Sequence, residues 1–115
     1  MTVTILHNPR CSKSRATLNL LRDRGIEPTI VDYLEKPPSA EEFREILAKL
    51  GVGPRDVLRR GEKIYKQLEL ADKSLSDTAL ITAMVGNPIL IERPIVVNGD
   101  KAAIGRPTEN VLDIL

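Results

Sequence analysis

The chain carries one cysteine and one histidine, and they stand four positions apart in His7-Asn8-Pro9-Arg10-Cys11-Ser12-Lys13-Ser14-Arg15. Polar and charged neighbours surround both. A cysteine serving only as a small core hydrophobe would be expected among apolar residues. A thiol reacts as its thiolate, and the setting of Cys11 favours that form. It lies between the end of an apolar stretch and the first turn of a predicted helix, where unpaired N–H groups and the helix dipole attract negative charge. Arg10, Lys13 and Arg15 add cations in sequence, and His7 is placed to add another across the loop. A lone histidine is more often structural than chemical, so a role for His7 depends on how the fold places it.

Spacing separates the reactions such a thiol could perform. A cysteine-based phosphatase wraps its phosphate with an arginine six positions after the cysteine, but that position is Thr17. A dithiol oxidoreductase needs a second cysteine three positions on, and the stretch reads Cys11-Ser12-Lys13-Ser14. A cysteine protease or acyl transferase needs a later histidine, and none exists. One Cys and one His are too few soft ligands for a metal site. What remains is a thiol whose adducts are resolved by an external reductant. Ser14, one helical turn in, could bond the thiolate or a bound anion through its hydroxyl.

The elements that must position this loop are legible. Thr2 to Leu6 alternates Thr with aliphatic residues and reads as a strand, stopping at Asn8-Pro9. A helix is predicted from about Ser12 to Arg24, with Thr17, Leu20 and Leu21 on one face and Gly25 as its stop. Pro28 to Tyr33 reads as a second strand, which makes a right-handed βαβ unit. After Pro37-Pro38, Ser39 and Glu42 form a capping box ahead of Phe43, Ile46, Leu47 and Leu50 at helical spacing. Shorter helical pieces follow, with Val57-Leu58 and Tyr65-Leu68 expected inward, then a helix from about Asp77 to Val85 capped near Ser76. Pro94 to Gly105 reads as a hairpin about Asn98-Gly99. Thr108 is expected to cap a last helix carrying Val111, Leu112 and Leu115. The order matches a thioredoxin-like α/β fold: a four-stranded mixed β-sheet with helices on both faces and a helical insert at about residues 35–92. The whole chain, residues 1–115, is expected to form a single domain.

Composition narrows the partners. At 115 residues, 42% hydrophobic and 29% charged, the chain has material for one core. Its formal net charge of +1 lacks the basic excess of a nucleic-acid binder, and two Tyr, one Phe and no Trp offer little for base stacking. The opening residues are too short for a signal peptide, and the apolar run from Ala79 to Val85 falls far below the roughly 18 residues of a membrane span. With no internal disulfide available, the cytoplasm is the expected compartment.

Four stretches then acquire a common meaning. His7 to Arg15, Leu58-Arg59-Arg60, Glu92 to Val97 and Ile104-Gly105-Arg106-Pro107 together resemble the ArsC family of glutaredoxin-dependent arsenate reductases and their short relatives. The resemblance runs from the first strand to Leu115. It implies that Cys11 is the nucleophile, with His7 and Ser14 helping to hold its thiolate and Asn8 and Arg15 supporting the loop. Arg59, Arg93 and Arg106 match the arginines that surround the bound oxyanion, with Arg60 an alternative to Arg59 as the inward residue. Pro94 matches the proline loop that faces the cysteine, so a cis peptide is expected after Arg93. The implied substrate is arsenate, with glutathione as co-substrate, glutaredoxin as protein partner and no tightly bound cofactor or metal. Two other readings share the motif. One is a monothiol glutaredoxin-like enzyme acting on glutathione mixed disulfides. The other is a Spx-like regulator binding RNA polymerase, whose usual C-x-x-C switch Ser14 breaks.

Overall fold

The central strand of the sheet is the one that leads into the thiol loop. In a computed structural model describing residues 2–115, β1 (Val3–His7) pairs in parallel with β2 (Thr29–Asp32) on one side. On its other side it pairs antiparallel with β3 (Ile95–Asn98), which pairs antiparallel with β4 (Lys101–Ile104). The order β2-β1-β3-β4 gives the mixed four-stranded sheet of a thioredoxin-like fold. Among the described residues, no helix is long and apolar enough to cross a membrane.

The chain divides into two compact units, one running up to Lys36 and resuming at Arg93–Leu115, the other Pro37–Glu92. The second spans the segment read as the helical insert. In the first unit the sheet packs on α1 (Ser12–Asp23). Strand residues alternate faces, so Val3 and Ile5 share one face with His7. Val3, Ile5 and Val96 meet Leu18 and Leu21 of α1, and Val111 closes the cluster. Fully burying one such aliphatic side chain stabilises a fold by about 1.5–3 kcal/mol. The buried stripe of α1 is Ser14, Thr17, Leu18 and Leu21; Leu20, expected on that face, is only partly buried, and Leu18 takes its place. Gly25 adopts φ +76° at the end of the helix, a conformation glycine takes without a Cβ penalty.

The hairpin turn is Gly99-Asp100, with Asn98 pairing Lys101 as the last strand residue. The turn thus lies one residue beyond the position expected. The final segment, Thr108–Ile114, is a 3-10 helix whose N-cap is Pro107. Thr108 caps nothing there, and of its apolar residues Val111 is buried while Leu115 is exposed. At 3-10 spacing side chains three apart eclipse, so Ile114 rather than Leu115 joins Val111 against the core.

In the second unit α2 (Ala40–Leu50) begins at the expected capping box, with Ser39 Oγ accepting the Glu42 N–H and Glu42 accepting the Ser39 N–H. Phe43 and Leu47 are its buried residues. A 3-10 turn at Pro54–Val57 and the short α3 (Lys63–Gln67) follow, then α4 (Asp77–Gly86), capped by Ser76. Val57 and Leu58 are buried as expected. Leu68 is exposed, and Leu70 is the buried leucine instead. The chain turns after Gln67 and Arg55 ties the next segment down, donating to the carbonyls of Leu70 and Asp72.

Candidate active site

Cys11 is the N-cap residue of α1, with extended backbone at φ −94° and ψ 122°. A tight turn brings the chain there. The Cys11 N–H donates to the Asn8 carbonyl at 3.0 Å, and the Asn8 side-chain oxygen accepts the Arg10 N–H at 3.0 Å. Asn at the first position and Pro at the second suit such a turn, because Asn mimics the backbone and Pro presets φ. Arg15 fastens the turn from the helix, its Nη1 donating to the Pro9 carbonyl at 2.8 Å. Asn8 and Arg15 thus shape the loop through hydrogen bonds.

The thiol is half-buried, and burial by itself pushes its pKa up. Opposing this are the backbone N–H groups of Ser14 and Lys13 and the Arg93 guanidinium, which together hold the pKa below its ordinary value. A thiolate at an N-cap does what a capping oxygen does, answering N–H groups that have no partner within the helix. Arg106 comes from the far end of the chain, its Nη2 lying 3.5 Å from Cys11 Sγ. Its Nε donates to the Arg93 carbonyl at 2.7 Å. The two arginines therefore act as a unit, one holding the other in place over the thiol.

His7 continues the α1-facing side of β1 and is buried there. Its Nδ1 lies 2.7 Å from Ser14 Oγ, which also accepts the Asn8 N–H at 3.0 Å. Burial lowers the His7 pKa, Arg15 and Arg22 lower it further, and Asp32 opposes them. The imidazole is consequently neutral near pH 7 and does not supply the cation its sequence position suggested. The hydroxyl of Ser14 serves His7 and Asn8, while its N–H serves the thiol. That N–H gave no signal in the sequence beyond the helix start itself.

Arg93 and Arg106 each precede a cis proline, at Arg93-Pro94 as expected and also at Arg106-Pro107. The Pro94 carbonyl accepts the Gly105 N–H at 2.9 Å. Gly105 is buried, and a Cβ there would lie 2.5 Å from Thr17 Oγ1 and 2.8 Å from Pro94 Cγ. The sequence marked this glycine only as part of a motif. Its need is space rather than an unusual backbone angle.

Arg59 belongs to the second unit. Its guanidinium reaches Glu62 at 3.2 Å and Glu92 at 3.1 Å, and its own N–H donates to the Leu90 carbonyl. Arg60 beside it is exposed, whereas Arg59 is partly buried within its own unit. Neither glutamate was singled out by sequence spacing. Among the described residues, no group of three or more His, Cys, Asp or Glu side chains is arranged to hold a metal ion.

Residues 6–114 match the family model described as ArsC family. The chain is 58% identical over 114 residues to an uncharacterized protein, YfgD, of Escherichia coli strain K12, covering 98% of this chain and 96% of that one. It is 51% identical over 116 residues to an arsenate reductase of Haemophilus influenzae, covering the whole of both. The structure of an arsenate reductase from Vibrio cholerae superposes with a TM-score of 0.97 at 52% identity, over 100% of this chain and 98% of that one. With the profile, the relatives and the superposition all spanning the thiol loop and both arginine-proline turns, the chain belongs to the ArsC family.

Proposed function

We propose that this chain reduces arsenate to arsenite through Cys11, with glutathione and glutaredoxin supplying the electrons. The observation that carries the reading is the placement of Arg106 Nη2 at 3.5 Å from Cys11 Sγ, over a thiol already biased toward its thiolate. The Haemophilus and Vibrio relatives, both named arsenate reductase, support arsenate as the oxyanion.

Arsenate carries roughly one to two negative charges near neutral pH, and guanidinium groups meet tetrahedral oxyanions with forked, charge-assisted hydrogen bonds. Arg93 and Arg106 offset the repulsion between that anion and the thiolate. The Cys11 thiolate attacks arsenic, forming an S–As bond, and one arsenate oxygen leaves as water after protonation. The glutathione thiol condenses on the same arsenic with loss of a second water. Arsenic is still pentavalent. A glutaredoxin thiolate then attacks the glutathione sulfur. An S–S bond forms, the S–As electron pair stays on arsenic, and arsenic becomes trivalent. Water hydrolyses the remaining Cys11–As bond, releasing arsenite and restoring the thiolate. Cys11 is the chain's one cysteine, which suits a scheme whose reducing equivalents come from outside. The scheme calls on no tightly bound cofactor, and its dependence on reduced glutathione places it in the cytoplasm.

The test is arsenite formation by the purified protein with arsenate, glutathione, glutaredoxin, glutathione reductase and NADPH, beside Cys11→Ala. Turnover that vanishes in the variant supports the reductase. Absence of arsenite, with Cys11 still readily glutathionylated, moves the function to another thiol substrate.

A further inference from the structure

A second feature lies beside the thiol loop, at the carboxyl ends of the two parallel strands. There Asn8, Pro9 and Arg10, which follow β1, face Asp32, Leu34 and Glu35, at and beyond the end of β2, across a cavity of about 330 Å³. Crevices at the carboxyl ends of parallel strands are where open α/β sheets bind ligands. This one is at the small end of the range for ligand sites. Its wall on one side is the turn that delivers Cys11 to α1.

The charges in it are of both signs and are not spent on each other. Among the described residues the ion pairs are Arg22 with Glu27 and Arg59 with Glu62 and Glu92. Among the described residues the Arg10 guanidinium and the Glu35 carboxylate make no ion pair. Asp32 gives one carboxylate oxygen to the Leu34 N–H at 3.2 Å. A cavity lined by a guanidinium and two carboxylates is complementary to a molecule with a carboxylate and an ammonium on one carbon atom. Leu34 supplies an apolar wall for the carbon chain between them and the rest of the ligand.

We infer that this cavity binds the amino-acid head of the small thiol that condenses at Cys11, with Arg10 taking its carboxylate and Asp32 and Glu35 its ammonium. The thiol's identity as a γ-glutamyl peptide rests on the reductase reading, whereas the zwitterion chemistry rests on the cavity. The site would orient the incoming sulfur at the mouth of the turn and convert a collision into a positioned attack.

The experiment is a titration of isotope-labelled protein with S-methylglutathione, followed by amide chemical shifts. That probe keeps the ammonium and carboxylates but cannot condense on arsenic. The expected result is saturable movement of the Asn8, Arg10, Leu34 and Glu35 amides. Affinity should fall about tenfold in Glu35→Gln and in Arg10→Gln, as for loss of one charge-assisted hydrogen bond. N-acetylation of the probe should abolish those shifts. Unmoved amides at the cavity, or an affinity indifferent to acetylation and to both substitutions, would overturn the inference. No arsenate enters this titration, so it reads the cavity even for a protein that fails to make arsenite. In a protein that does turn over, Glu35→Gln should raise the KM for glutathione rather than that for arsenate.

Discussion

Arg106 reaches Cys11 across 95 positions of sequence, its Nη2 at 3.5 Å from the sulfur, and does so while its Nε is held by the Arg93 carbonyl. Both ends of the guanidinium are therefore fixed before any oxyanion arrives, which is the preorganisation that electrostatic catalysis requires. Arg106→Ala should slow alkylation of Cys11 by iodoacetamide at neutral pH by about three- to tenfold, through loss of thiolate. Arg93→Ala should do the same, because its guanidinium is among the groups lowering the thiol pKa. The pH profile of alkylation reads both. A profile unmoved in either variant would remove that arginine from the thiol's environment.

Gly105 sets how closely the Arg106 turn approaches α1. A methyl group in its place meets Thr17 Oγ1, itself bonded to the Lys13 carbonyl, and the rigid Pro94 ring. Neither neighbour is the free end of a flexible chain. Gly105→Ala should cost about 1–3 kcal/mol of stability, in the range of other overpacked cores, read from denaturant unfolding. It should also slow Cys11 alkylation, and that effect should vanish in an Arg106→Ala background. Additive effects of the two substitutions would mean that Gly105 does not act through Arg106.

The fold was legible because its signals are local. The capping box at Ser39 and Glu42, the helix after Cys11 and the β–helix–β opening all depend on residues a few positions apart. The thiol and both arginine-proline turns were legible too, as motifs. What escaped was whatever tertiary contact decides. Leu68 and Leu70 are equally apolar, and only the tie from Arg55 to the Leu70 carbonyl shows which is inward. Arg59 and Arg60 are equally basic, and only the contacts of Glu62 and Glu92 show that Arg59 is the one ion-paired within its unit. His7 looked like a cation beside the thiol, but continuing the core face of β1 buries it and lowers its pKa.

That burial has a consequence for stability. The folded His7 pKa lies below its ordinary 6.5, with desolvation the leading cause. As pH falls through about 6.5, the unfolded chain binds a proton that the folded one refuses, so stability drops, and it levels off once the folded pKa is passed. The thermal midpoint should therefore fall between about pH 7.5 and about pH 5.5 more steeply in the native protein than in His7→Asn, whose side chain has no charge to gain. Parallel pH curves for the two proteins would mean that His7 titrates normally.

Ser14 separates the loop's scaffold from the thiol's activation. Its hydroxyl is wholly buried and is shared by His7 Nδ1 and the Asn8 N–H. Ser14→Ala leaves both without that partner, and an unsatisfied buried polar group costs about 1–3 kcal/mol. The N–H that Ser14 offers the thiol is backbone and survives the substitution. Ser14→Ala should thus unfold at lower denaturant concentration while the pH profile of Cys11 alkylation stays close to that of the native protein. Arg106→Ala should show the converse pattern, since its exposed side chain contributes little to the core. A Ser14→Ala profile displaced as far as that of Arg106→Ala would mean that the hydroxyl, and not the helix N-terminus, stabilises the thiolate. His7 would then act on Cys11 through that hydroxyl rather than by holding the turn.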